Sequence, residues 1–117
     1  MKNFKELRIW LKGIDIAISC FQLTKTFPKE ERFGLSSQIT RAAVSISSNI
    51  AEGSSRNSEK DYSRFIQISL GSTYELETQL LIAKAASFGD PELLQKILID
   101  ITDEQKMIMG FSIKLRS

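Results

Sequence analysis

A chain of 117 residues, 42% hydrophobic and 26% charged, has the length of one domain and the composition of a folded globular protein rather than a disordered one. It contains no histidine and one cysteine, Cys20, which excludes Ser-His-Asp and Cys-His catalysis, an internal disulfide and nearly every zinc site. The net charge of +2 is too small to announce a nucleic-acid binder by itself.

No GxGxxG or GxxxxGK[ST] stretch is present, so the expectation is a protein without catalysis, cofactor or metal. A basic-then-apolar leader and an apolar run of membrane-spanning length are both missing from the sequence. The expected location is the cytoplasm, with no membrane partner.

The first predicted helix runs from Phe4 to Phe27. Leu7, Trp10, Leu11, Ile14, Ile18 and Phe21 recur at intervals of three and four and are expected to face the core. Ile9, Ile16 and Leu23 fall almost opposite, at intervals of seven, with Cys20 beside them. Phe27-Pro28 should end this helix, since proline disfavours helical geometry in the residue before it, and PKEE can open a short new turn.

The second helix carries Leu35, Ile39, Ala42, Ala43, Ile46, Ile50 and Gly53 as its apolar stripe, with Gly53 as its expected stop. Its far side offers the small Ser37, Val44, Ser48 and Ala51. Beside the stripe lies a polar seam of Gln38, Arg41, Ser45, Asn49 and Glu52. The loop GSSRNS follows, and Asn57 or Ser58 can cap the third helix ahead of acidic Glu59 and Asp61.

The third helix, Ser58 to Phe88, is expected to span ~45 Å and to bury Tyr62, Phe65, Ile68, Leu76, Leu80 and Ala83. Leu70, Tyr74 and Leu81 lie across from that face, and Gly71, Ser72, Glu75 and Gln79 form a second polar seam. Gly89-Asp90-Pro91 combines a stop, a cap and a first-turn proline. The fourth helix follows through Leu94, Ile97, Leu98, Ile101, Ile108 and Leu115.

Four amphipathic helices with short joints predict an all-α, antiparallel up-down-up-down four-helix bundle, one domain over residues 1–117. The second apolar faces, Ile9, Ile16 and Leu23 on helix one and Tyr74 and Leu81 on helix three, predict a homo-oligomer interface. The seam of Gln38, Arg41, Ser45, Asn49, Glu52 and Glu75 predicts an internal network, with Arg41 paired to Glu75 or Glu52. Glu52, Glu75 and Glu77 do not make a metal site without a histidine partner. Arg56, Lys60 and Arg64 are the best basic group for RNA or DNA phosphates, and Lys2, Lys5, Arg8 and Lys12 form a second. The alternative is a scaffold for a protein partner that touches no nucleic acid.

The run from FKELRIWLKGIDIA to FPKEERFGLSSQITRAAVSISSNIAEG and GSTYELETQ resembles the 23S rRNA intervening sequence proteins, the S23 family. The most specific segments are the FP-x-x-E-x-[FY]-GL-x-x-Q turn at Phe27 to Gln38, the NIAEG run ending at Gly53, and Gly71 to Gln79. The resemblance implies a bacterial four-helix bundle that assembles as a homopentameric ring. It also implies kinship with the accessory variability protein of diversity-generating retroelements, a nucleic-acid-binding ring.

Overall fold

Capping chemistry local to each joint divides the chain, and the computed structural model, which describes residues 3–117, places four α-helices between those joints. They are α1 (Arg8–Thr24), α2 (Leu35–Ser54), α3 (Glu59–Ala85) and α4 (Pro91–Arg116), with short 3-10 turns at Phe4–Glu6 and Lys29–Glu31. No strand occurs among the described residues. Lys2 lies outside them.

The first helix is shorter than expected. Leu7 is extended at φ −71° and ψ 129°, separating the Phe4–Glu6 turn from α1. At the next joint Pro28 opens a 3-10 turn, as its fixed φ favours. Ser58 caps α3, its hydroxyl accepting from Asp61 N at 3.1 Å, and Asp90 caps α4 by accepting from Glu92 N at 3.1 Å, with Pro91 in the first turn.

The third helix also stops early, at Ala85. Ser87 takes φ +60°, and Phe88 N donates to Ala83 O while Ser87 N donates to Lys84 O, which closes the helix end in a Schellman motif. Gly89 follows at φ +80°, where an added Cβ would lie 2.6 Å from the Phe27 ring. Only glycine satisfies both the left-handed backbone and that contact. Thr26 Oγ1 accepts from Asp90 N at 2.9 Å, so the α3–α4 turn is fastened to the end of α1.

Each helix packs against its neighbours in the chain, and α1 also packs against α4, whereas α1 and α3 stand across the core from each other. The residues that meet are Trp10 with Ser47, Ser45 with Ser72, Gln67 with Ser112 and Lys12 with Asp100. The whole measures 43 × 23 × 20 Å. One apolar cluster fills the interior, and Ile16, Ile39, Ile46, Ile66, Leu76, Ile97 and Ile108 within it are fully buried. Each such side chain contributes ~1.5–3 kcal/mol relative to exposure, so which face of a helix turns inward is decided by many of these at once.

For α1 that choice reverses the expectation. Ile9, Gly13, Ile16, Cys20 and Leu23 are buried, while Leu11, Ile18 and Phe21 are exposed. The inward positions repeat at alternating intervals of four and three, the spacing of a bundle seam. Gly13 explains why this face wins. A Cβ there would run into Ser47 Oγ and stand 3.2 Å from Ile46 Cγ2, so only glycine lets α1 lie this close to α2. Ser47 Oγ then donates to Trp10 O at 2.9 Å.

In α3 the seam is Tyr62, Ile66, Ser69, Thr73, Leu76, Leu80 and Ala83, and Ile68, expected inside, is exposed. Ser69 is tolerated in the core because its hydroxyl donates to Ile46 O at 2.7 Å, and Thr73 donates to Leu70 O at 2.6 Å. Gly53 does not stop α2, which continues to Ser54; it is buried where an added Cβ would meet Phe65 and Tyr62. Cys20 is buried and its thiol is pushed up to about 12 by desolvation, so it is an unreactive core residue.

Candidate functional site

The polar seam of α2 forms only at its centre. Ser45 and Ser72 share a hydrogen bond of 2.7 Å, and Asn49 Nδ2 donates to both Ser45 O at 2.8 Å and Ser45 Oγ at 2.9 Å. Gln38, Arg41, Glu52 and Glu75 are exposed at its margins. The expected pairing of Arg41 with Glu75 or Glu52 does not occur. Glu52 instead accepts from Arg56 at 2.8 Å, one helical turn on, where the chain itself holds the two groups together. Arg41→Ala and Glu75→Ala are each expected to change stability by less than about 0.5 kcal/mol, measurable by urea unfolding.

Arg56 and Arg64 do converge, on Phe65. Each guanidinium sits 4.6 Å from the ring centroid. Each also faces an acid, Glu52 at 2.8 Å and Asp61 at 3.9 Å, so the pair presents little free positive charge. Lys60 is separate from them and lines a shallow groove with Glu59 and Arg116. The second basic group is likewise diluted, since Arg8 and Lys12 share their groove with Asp15 and Asp103.

The surface apolar residues are more coherent. Leu11, Ile18 and Phe21 run along the outside of α1, and Tyr74 and Leu81 along the outside of α3. Tyr74 and Leu81 are exposed, in line with the sequence. Ile9, Ile16 and Leu23 are not available to another copy, because they are the inner seam of α1. Gly71 has open space around it and brings no second backbone close.

Inside the bundle, α4 places Glu104 at a seam position between Ile101 and Ile108, with 0% exposure and neither carboxylate oxygen hydrogen-bonded. Burial pushes its carboxyl up to about 8, and the nearby Lys12 charge opposes that only weakly. Lys12 is engaged with Asp100 at 3.3 Å, and Lys96 holds the other Asp100 oxygen at 2.9 Å. Burial alone would raise Asp100, but the hydrogen bonds and charges of Lys96 and Lys12 outweigh it and hold this carboxyl below its ordinary value.

The family model for 23S rRNA-intervening sequence protein matches residues 5–110, nearly the whole four-helix body. The chain belongs to that family. Among solved structures, a protein of unknown function from the S23 ribosomal protein family of Bacteroides thetaiotaomicron VPI-5482 is similar at 26% identity. The match covers 89% of this chain and 97% of that one, with a TM-score of 0.81. No curated protein matches the chain.

For this member of the 23S rRNA-intervening sequence family, the described residues bring no three or more of Cys, Asp and Glu together in a metal-binding group. None of its described helices is long and apolar enough to cross a membrane. Two features escaped the sequence reading. Glu104 was hidden because a charged residue on a long helix reads as solvent-facing, although its spacing from Ile97, Ile101 and Ile108 marks the seam. The other is a basic groove around Phe33, whose signal was an aromatic residue in a turn between Lys29, Arg32 and the first turn of α2.

Proposed function

We propose that the chain is a non-enzymatic cytoplasmic accessory protein whose antiparallel up-down-up-down bundle assembles into a ring of like copies, five as the family resemblance implies, and acts on nucleic acid. The helix directions are supported by the residues that meet: as the number rises along α3 it falls along α4, from Gln67 with Ser112 through Glu77 with Gln105 to Lys84 with Gln95.

One observation carries the assembly. The outer stripe of α1 at Leu11 and Ile18, short of Phe21, and that of α3 at Tyr74 and Leu81 lie on opposite sides of the core, with Ile18 53% and Leu81 48% exposed. Large exposed apolar surface marks association. Two different stripes facing away from each other suit a head-to-tail contact, α1 of one copy against α3 of the next, and head-to-tail contacts that close make rings. The nucleic-acid half is supported by the kinship with the accessory variability protein that the sequence resemblance implies. The neutralisation of Arg56 and Arg64 by Glu52 and Asp61 favours the second reading, a ring that positions a protein partner instead.

A complementation experiment tests the head-to-tail contact. Ile18→Asp and Leu81→Asp proteins, each with one stripe spoiled, are expected to lose the assembled state on size-exclusion chromatography. Mixed, they should form heterodimers, because each supplies the face the other lacks. Persistent full assembly of both single variants would overturn the reading.

A further inference from the structure

We propose that a single-stranded nucleic acid lies along the groove where the end of α1, the Lys29–Glu31 turn and the start of α2 meet, its phosphates on Lys25, Lys29, Arg32 and Arg41 and a base on Phe33. The inference deepens the nucleic-acid reading above and rests on it, but it moves the contact away from Arg56, Lys60 and Arg64.

Charge distribution is the first argument. Two adjoining grooves share Phe21 and Thr40; together they are lined by Lys25, Lys29, Arg32 and Arg41 and by no acidic residue. None of these four cations is in an ion pair among the described residues. Four positive charges exceed the net +2 of the chain, so everything outside the groove is net negative. An anionic polymer is therefore favoured here over the mixed-charge grooves around Arg8, Lys12 and Lys60.

Phe33 is the second argument. It is 87% exposed, the barest large apolar side chain among the described residues, and Arg32 stands 5.2 Å from its ring centroid. An exposed ring beside a cation in an acid-free groove is the arrangement on which unpaired bases stack while the backbone follows the charges. Duplex nucleic acid has no unstacked base to offer that ring.

The groove's reach and its helix terminus complete the case. The larger part is an open groove of about 1110 Å³. That is tens of times the ~30 Å³ share of one water molecule, so it suits a polymer segment rather than a lone ion. Ser36 and Ser37, in the first turn of the twenty-residue α2, line it at the positive end of the helix dipole. Glu30 and Glu31 share the Lys29–Glu31 turn but lie outside the lining, and Glu31 accepts from Leu35 N at 3.3 Å.

Fluorescence anisotropy of the full chain with a labelled mixed-sequence single-stranded RNA, titrated at low and moderate salt, tests the inference. The native protein should bind, with a salt slope that becomes shallower by about 0.7 for each phosphate contact removed. Lys29→Glu with Arg32→Glu should abolish binding, and Phe33→Ala should weaken it on the order of tenfold. All three residues are exposed, so circular dichroism should be unchanged.

Changing Arg56, Lys60 and Arg64 together to glutamate should leave most of the binding intact. If that triple variant loses binding while the groove variants keep it, the groove assignment is wrong and the nucleic-acid reading stands. If the native chain binds no RNA even at low salt, both fall. Binding of poly-glutamate in preference to RNA would make an acidic protein the occupant and overturn the proposal.

Discussion

Glu104→Gln is expected to stabilise the protein at pH 8 by about 4 kcal/mol and to change it far less below pH 4.5. The carboxyl ionises near 4.5 in the unfolded chain and near 8 in the folded one. Between those values the folded state holds a proton that the unfolded state has released. Folding is therefore least penalised below the unfolded value, and stability falls as the pH rises through the window, levelling off above 8. Glutamine has no proton to lose.

The window is set by the surroundings of the group. Lys12 is the charge facing it from α1, but Lys12 is held by Asp100 and offsets only part of the desolvation. Ser47 and Ile46, from α2, are the other atoms at the Gly13 notch beside Glu104 Oε2, and neither is charged. Asp100 has the opposite dependence: its depressed pKa contributes stability above the unfolded value that is lost as pH falls through the folded one. That term is common to both proteins and cancels in the difference. Urea unfolding of native and variant chains across this range provides the check, and two curves that stay parallel would refute the buried, unpaired carboxyl.

Gly13→Ala is the second large effect. In an exposed helix interior this change stabilises by ~0.8–1 kcal/mol. Here it is expected to destabilise by about 1 to 3 kcal/mol, because the new methyl group collides with Ser47 Oγ and presses on Ile46. The hydrogen bond from Ser47 to Trp10 O is lost when the hydroxyl moves away. Removing that hydroxyl should relieve the collision. The Gly13→Ala, Ser47→Ala double variant is expected to cost less than the sum of the two single changes, and strict additivity in a double-mutant cycle would contradict the close approach.

These two residues also show what the sequence made legible and what it concealed. The starts of α3 and α4 were readable because Ser58, Asp90 and Pro91 act through local chemistry, within a turn of themselves. Helix existence was readable because apolar residues recur at three and four. Which stripe of α1 turns inward was not. The outer stripe holds the bulkier Leu11, Ile18 and Phe21, while the inner one includes Gly13 and Cys20. Its advantage comes from the fit to Ser47 on another helix, a property of two segments jointly.

The same limit governed α3 and the candidate sites. Ser69 is a core residue only because Ile46 O is there to accept its proton. Ser45 and Asn49 joined as the seam suggested, but Arg41 and Glu75 stayed in solvent, since Arg56 lay one turn from Glu52 and needed no ordering of distant side chains. The groove around Phe33 is assembled from three separate segments, so its lack of acids is visible only once α1 and α2 are folded together.

Sedimentation equilibrium of the native chain over a range of micromolar concentrations tests most directly whether the bare stripes of α1 and α3 are covered by sister copies. A mass of several chains, reduced to one by Ile18→Asp, is the predicted result. A single-chain mass at every concentration would contradict it.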